Sequence, residues 1–121
     1  MASDLRELLQ RRGVCGQVRD YIGHFANEVR LKIFCELMLE DDVSVGDLVE
    51  VTGSSQPAVS QHLKHLRLSG LVSRERVGNQ SLYRISDPLV AETMQFLGLV
   101  AERLSTVRGE RNPNGNDGGT G

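Results

Sequence analysis

Tryptophan is absent from this chain of 121 residues, and aromatic residues make up only 4% of it, so aliphatic side chains must carry the packing. No apolar run approaches the ~20 residues that cross a bilayer, and no charged-then-apolar leader opens the chain; a cytoplasmic protein without membrane contact is expected. Cysteine is nearly absent too: Cys15 and Cys35 stand twenty residues apart, which is neither a CxxC motif nor a disulfide framework. Between Asp87 and Arg108 there is no His or Cys, leaving Asp87, Glu92 and Glu102, poor ligands for a borderline or soft ion without nitrogen or sulfur beside them. No nucleophile, base and orienting group can be assembled. The chain is therefore expected to be no enzyme and to hold no metal and no cofactor.

What is present centres on Ser54 to Gly70. Val59, Leu63 and Leu66 recur at i, i+4 and i+7, lining one face of a helix, while Gln56, Ser60, Gln61 and Lys64 fall on the other. Ser54 or Ser55 can cap its first turn, Pro57 sits where a missing N–H costs little, and Gly70 suits a left-handed C-cap. The polar face offers amides, a hydroxyl and an ammonium, groups that hydrogen-bond base edges and phosphates. It reads as a DNA recognition helix.

Upstream, Ser44-Val45-Gly46-Asp47 has the form of a capping box with Asp in place of Glu, and Leu48 and Val51 make a short apolar stripe before Thr52-Gly53 ends it. Two helices joined by a short glycine-containing turn form a helix-turn-helix. Downstream, residues 71–77 and 80–85 are rich in strand formers and are separated by Gly78-Asn79, a pair suited to positive φ in a two-residue hairpin turn. That hairpin is the expected wing.

The net charge of −2 looks wrong for a DNA binder until the charges are located. From Ser54 to Arg84 there are five basic residues, Lys64, Arg67, Arg74, Arg76 and Arg84, against Glu75 alone, a balance of +4 that leaves −6 for the remainder. Phosphate attraction depends on potential within about 10 Å at ~0.1 M salt, so the segregation outweighs the sum. A merely solvated charged face would not coincide with the helix and wing.

At the N-terminus, Ser3-Asp4 can cap a short helix carrying Leu5, Leu8 and Leu9. Gly13 and Gly16 bracket Val14-Cys15 and suggest a break, with a second helix from about Gln17 to Ala26 through Val18, Ile22 and Phe25. A helix from Glu28 to Leu39 is apolar on two sides, through Val29, Ile33 and Leu37 and again through Leu31, Phe34, Cys35 and Met38, and belongs in the middle of the domain. Asp87-Pro88 opens the last helix. There Val90, Met94, Leu97, Ala101 and Leu104 alternate steps of four and three like a coiled-coil seam, beside a second stripe of Leu89, Phe96 and Val100. Such a helix is too apolar for a monomer's surface, and the direct reading is a homodimer interface. One domain over residues 1–105 and a disordered tail over 106–121 are expected.

Four runs, Ala26 to Phe34, Ser44 to Leu48, Gln56 to Lys64 and Ser69 to Val72, together resemble the ArsR/SmtB repressors. The resemblance covers roughly residues 18 to 105. It implies a mainly α fold with a small β-hairpin, a winged helix-turn-helix dimeric through its N- and C-terminal helices. It also implies a repressor that leaves an inverted-repeat operator when a metal, metalloid or thiol-reactive signal arrives. A dimer sets two recognition helices about 34 Å apart, in successive major grooves. The expected DNA-facing residues are Ser55, Gln56, Ser60, Gln61, His62, Lys64, Arg67, Arg74 and Arg76.

The signal is less legible. The family's Cys-x-Cys metal motif is missing from Val43 to Asp47. Ile33-Phe34-Cys35-Glu36-Leu37 resembles the family's sulfide- and persulfide-responsive branch, but that branch pairs this cysteine with one in the last helix, where this chain has none, so Cys15 would have to substitute. A thiol switch through a disulfide, a polysulfide bridge or trivalent arsenic at Cys15 and Cys35 stands beside the plain alternative of inert thiols. Two further readings stay open: a winged-helix protein-interaction module without DNA binding, and a metal-responsive repressor with a non-standard site.

Overall fold

The structure is a computed structural model that describes residues 2–111 of the chain, with side chains described for 4–106. It comprises two compact units, one ending at Ser86 and one beginning at Asp87. The first contains α1 (Ala2–Gln10), α2 (Val14–Gly23), α3 (Glu28–Leu39), β1 (Val43–Ser44), α4 (Val45–Thr52), α5 (Gln56–Leu68), β2 (Val72–Val77) and β3 (Gln80–Ile85); the second is α6 (Pro88–Arg111). The expected class, mainly α with a small sheet, is the one observed.

The core of the first unit is aliphatic with two rings at its edge. Ile33, Phe34, Leu48, Val59, Leu63 and Leu66 are wholly buried, and Phe25 stacks on Phe34 with ring centroids 4.6 Å apart. Full burial of such side chains contributes about 1.5–3 kcal/mol each, so α3, α4 and α5 are held together by non-directional apolar contact. The second apolar side expected for α3 is not realised: Phe34 is buried, but Cys35 and Met38 are exposed. A short helix in a small domain has one face to bury, and Ile33, Phe34 and Leu37 take it.

The recognition helix begins and ends as its residues require. Ser55 is the N-cap, its Oγ accepting from the Ala58 N–H at 3.3 Å, with Pro57 in the first turn. At the other end Gly70 is left-handed (φ 80°), and the Leu71 and Gly70 N–H groups donate back to the Leu66 and Arg67 carbonyls, each at 3.0 Å. These are the two bonds of a Schellman motif, which needs a residue without Cβ strain at that point. Ser44 Oγ caps α4 by accepting from the Asp47 N–H at 3.1 Å. Between the helices Gly53 is also left-handed, at φ 72°, and makes the turn.

The sheet is antiparallel, in the order β1-β3-β2. β2 and β3 pair from Val72 opposite Ile85 to Val77 opposite Gln80, so the turn is the two residues Gly78-Asn79. Only Gly78 has positive φ, at 63°, which fits a type II′ turn rather than the pair of positive angles a type I′ turn needs. The two-residue strand β1, which pairs Val43 with Tyr83 and Ser44 with Leu82, was not expected. Asp42 before it adopts φ 58°.

The N-terminal helices depart from expectation in their ends. Ser3 and Asp4 lie inside α1 rather than before it. α2 starts at Val14 and ends at Gly23, with Gly16 inside it, and only Gly13 makes the break, at φ 80°. A helical glycine costs about 1 kcal/mol relative to alanine, a penalty one left-handed residue upstream does not prevent the helix from bearing. Cys15 therefore sits in the first turn of α2, not in a loop.

In the second unit, Asp87 Oδ1 accepts from the Leu89 N–H at 3.0 Å, the expected cap before Pro88. The helix continues to Arg111, so the boundary expected after residue 105 falls within it; residues 112–121 of the expected tail lie outside the described residues. Along the expected seam Val90 and Met94 are buried, while Leu104 is exposed. No described helix is long and apolar enough to cross a membrane.

Candidate nucleic-acid interface

Helix α5 divides its side chains as its period demands. Val59, Leu63 and Leu66 are buried, while Gln56, Ser60, Gln61 and Lys64 are exposed on the opposite side. Six residues of the wing from Arg74 to Asn79 are exposed, so Arg74 and Arg76 reach solvent. A cleft of about 300 Å³ between the start of α4, the start of α5 and the wing is lined by Ser44, Val45, Gly46, Gln56, Asn79, Gln80 and Ser81. That lining is neutral and rich in hydrogen-bonding groups. Helix and wing thus present one polar surface with no carboxylate between Gln56 and Arg74 in the sequence.

Of the residues expected to contribute, Ser55 and Arg84 are engaged elsewhere and Arg67 is half-buried. Ser55 spends its oxygen on the cap, which leaves the hydroxyl hydrogen to donate. Arg67 is half-buried, and its Nε has no hydrogen-bond partner among the described residues. Arg84, which enlarged the basic count, is held by Asp42: its Nε donates to Asp42 Oδ1 at 3.1 Å and its Nη2 forms an ion pair with the same oxygen. This hydrogen bond, then the charge of Asp42, raises the arginine above its ordinary value, and the positive surface narrows to Lys64, Arg67, Arg74 and Arg76.

His62, expected among the DNA-facing residues, is half-buried, and its Nδ1 lies 3.2 Å from Arg30 Nη1. A guanidinium has donors only, so Nδ1 must accept and the imidazole carries its hydrogen on Nε2. Burial first, then Arg30, then His65 hold His62 below its ordinary value of 6.5. His24 is lowered by burial, then by His65 and Arg30, with Asp20 opposing. The His24 and His65 rings lie 5.2 Å apart beside a cleft of about 580 Å³ also lined by Arg19, Asp20 and Arg30. Arg30 was missed entirely: a lone arginine in an apolar helix gives no local sign that it reaches a residue thirty-two positions on.

Both thiols are exposed and free. Cys15 Sγ–H donates to the Leu9 carbonyl at 3.2 Å. Among the described residues no group of three His, Cys, Asp or Glu side chains is placed to hold a metal ion.

Residues 27–74 match the model of the bacterial regulatory protein, arsR family. The chain is 34% identical over 92 residues to the biofilm growth-associated repressor of Xylella fastidiosa, covering 76% of this chain and 78% of that one. The chain belongs to the ArsR family. Over 72 residues this ArsR-family regulator is also 39% identical to the transcriptional activator HlyU of Vibrio cholerae, covering 60% of its own length and 66% of the activator's. Among solved structures it superposes on the homodimeric winged helix-turn-helix DNA-binding domain of Mb0332 from Mycobacterium bovis with TM-score 0.68 and 28% identity, covering 80% of this chain and 90% of that one. It is a DNA-binding transcription regulator with a winged helix-turn-helix, and its relatives regulate genes rather than catalyse reactions.

Proposed function

We propose that this protein is a homodimeric cytoplasmic repressor that inserts α5 into the major groove of an inverted-repeat operator and leaves it when its thiols react. The observation that carries the DNA half is the division of α5: three wholly buried aliphatic residues anchor it and a continuous polar face remains. Gln56 and Gln61 suit adenine, whose N6 and N7 pair with an amide, and Ser60 reaches either purine or pyrimidine edges. Lys64, Arg67, Arg74 and Arg76 contact phosphates, and the Ser55 hydroxyl adds a further donor. Dimerisation, as in the Mycobacterium bovis relative, falls to the exposed apolar side chains of the terminal helices, Leu5 and Leu8 in α1 and Phe96, Leu99 and Leu104 in α6.

Support for the thiol half is accessibility. Cys15 and Cys35 both face solvent, which inert core cysteines would not, so a polysulfide, an oxidant or trivalent arsenic reaches them. A bridge between them ties α2 to α3 and disturbs the scaffold that carries α5.

Fluorescence anisotropy tests both halves on a duplex from upstream of the protein's own reading frame, beside a random duplex of equal length. Gln61→Ala should relax sequence preference by about 1–3 kcal/mol, and Arg76→Ala should weaken all sequences alike and lower the salt slope by about one unit. Equal losses on both duplexes for both variants would refute that division. Polysulfide should release the reduced protein reversibly, and Cys15→Ser with Cys35→Ser should abolish the release. Run-off transcription from the same fragment distinguishes repression from activation.

A further inference from the structure

The apolar contacts that seat α5 are non-directional: Val59, Leu63 and Leu66 fix which face is buried, but leave the helix free to rotate slightly or slide along its neighbours. A directional bond crosses from α3 to the middle of the recognition helix, and Arg30 makes it. From the first turn of α3, Arg30 Nε donates to the His24 carbonyl at 2.9 Å and Nη2 to the Gly23 carbonyl at 3.2 Å, both at the end of α2. The third arm, Nη1, donates to His62 Nδ1 at 3.2 Å. A single planar guanidinium thus ties three helices together at one corner, and a hydrogen bond of this kind weakens steeply when its angle changes.

We propose that Arg30 is the positioning residue of the recognition helix: it holds His62, and through it the adjoining Gln61, in the orientation that reads DNA, and protonation of His62 releases the hold. Imidazolium has two N–H donors and no acceptor, so the bond to Arg30 cannot survive the proton, and two positive charges are left facing each other. The groups acting on His62 are Arg30 from α3 and His65 from its own helix; the end of α2 brings His24 against His65, with Asp20 and Arg19 lining the same cleft. All of the chain's histidines therefore lie in this corner, and the charged groups acting on His62 are cationic or titrate to cations.

The sign follows from the direction of the shift. Folded His62 binds its proton less readily than the unfolded side chain at 6.5. The contribution of the latch to stability is complete above 6.5 and declines as pH falls below it, while the bond itself is lost only as pH falls through the lower folded value. Adding a charge to a DNA-binding helix ordinarily strengthens binding to phosphate. Release of the latch predicts the opposite trend, which separates the two.

The inference rests on α5 being the DNA-reading helix, and the experiment keeps the two apart. Anisotropy on the upstream duplex and on a random duplex is measured from pH 8 to 5.5 at constant ionic strength, and the thermal midpoint of the free protein is followed over the same range. Wild type should lose affinity for the upstream duplex roughly threefold to tenfold across the range, the order that losing one hydrogen bond allows. His62→Asn keeps an acceptor oxygen near the Nδ1 position and cannot titrate, so it should bind like wild type at pH 8 and lose most of the pH dependence. His62→Leu and Arg30→Gln should bind weakly and without that dependence at every pH. Wild-type affinity that stays level or rises on acidification, or His62→Leu binding like wild type at pH 8, would overturn the proposal. A thermal midpoint that falls below pH 6.5 in wild type but not in His62→Asn, with no preference for the upstream over the random duplex, would retain the latch as a structural bond and remove its role in reading DNA. A midpoint with no such difference would remove the latch itself.

Discussion

Helices α5 and α6 are both rich in aliphatic residues, yet they end differently. In α5 the stripe of Val59, Leu63 and Leu66 is wholly buried and, apart from Leu68 at its end, the exposed face is polar. Among the described side chains of α6 only Val90 and Met94 are buried, and Phe96, Leu99 and Leu104 are 63%, 64% and 57% exposed. Burial of apolar area is what drives a helix to pack, so α5 is satisfied within one chain and α6 is not. An exposed apolar stripe of that length marks an interaction surface. The comparison separates a helix whose apolar stripe is filled within the chain from one that leaves apolar surface open.

The sharpest way to break it is to remove the anchor of α5. Leu63→Ala should cost about 2–5 kcal/mol, because the side chain has no exposed surface and its removal leaves a cavity in the core; urea denaturation reads the loss. Phe96→Glu combined with Leu99→Glu attacks the other helix. It should leave the thermal unfolding of the first unit close to wild type while shifting sedimentation equilibrium from dimer to monomer, a loss of about 2 kcal/mol or more if these are central contacts. Unchanged dimerisation would mean that α6 satisfies itself some other way. The smallest effect belongs to Ser55→Ala, which removes the N-cap acceptor for Ala58 and should cost about 1 kcal/mol. That change bears on the reading helix alone, so it should lower thermal stability without altering the oligomeric state.

Much of the site was legible because helix periodicity and capping are local. The face of α5, its Ser55 cap, its Gly70 end and the two-residue wing turn all follow from neighbours within a few positions, and each was found where expected. The errors share a cause. Gly16 reads as a breaker, but a glycine inside a helix costs only about 1 kcal/mol relative to alanine, and α2 runs through it. β1 is two residues long and has no pattern of its own; it exists because β3 offers an edge. Cys35 sits among apolar neighbours in sequence, yet it faces solvent because Phe34 takes the buried position beside it.

The sequence by itself determined the order of elements, the division of α5 into anchoring and reading faces, the concentration of positive charge there, and the excess of apolar surface on α6. Those properties depend on residues one or two helical turns apart. Only the tertiary structure decided that Arg84 is neutralised by Asp42 and that His62 turns inward to Arg30. Both are bonds between residues dozens of positions apart, and such pairings arise when packing brings distant side chains within about 3 Å, a distance that no local pattern encodes.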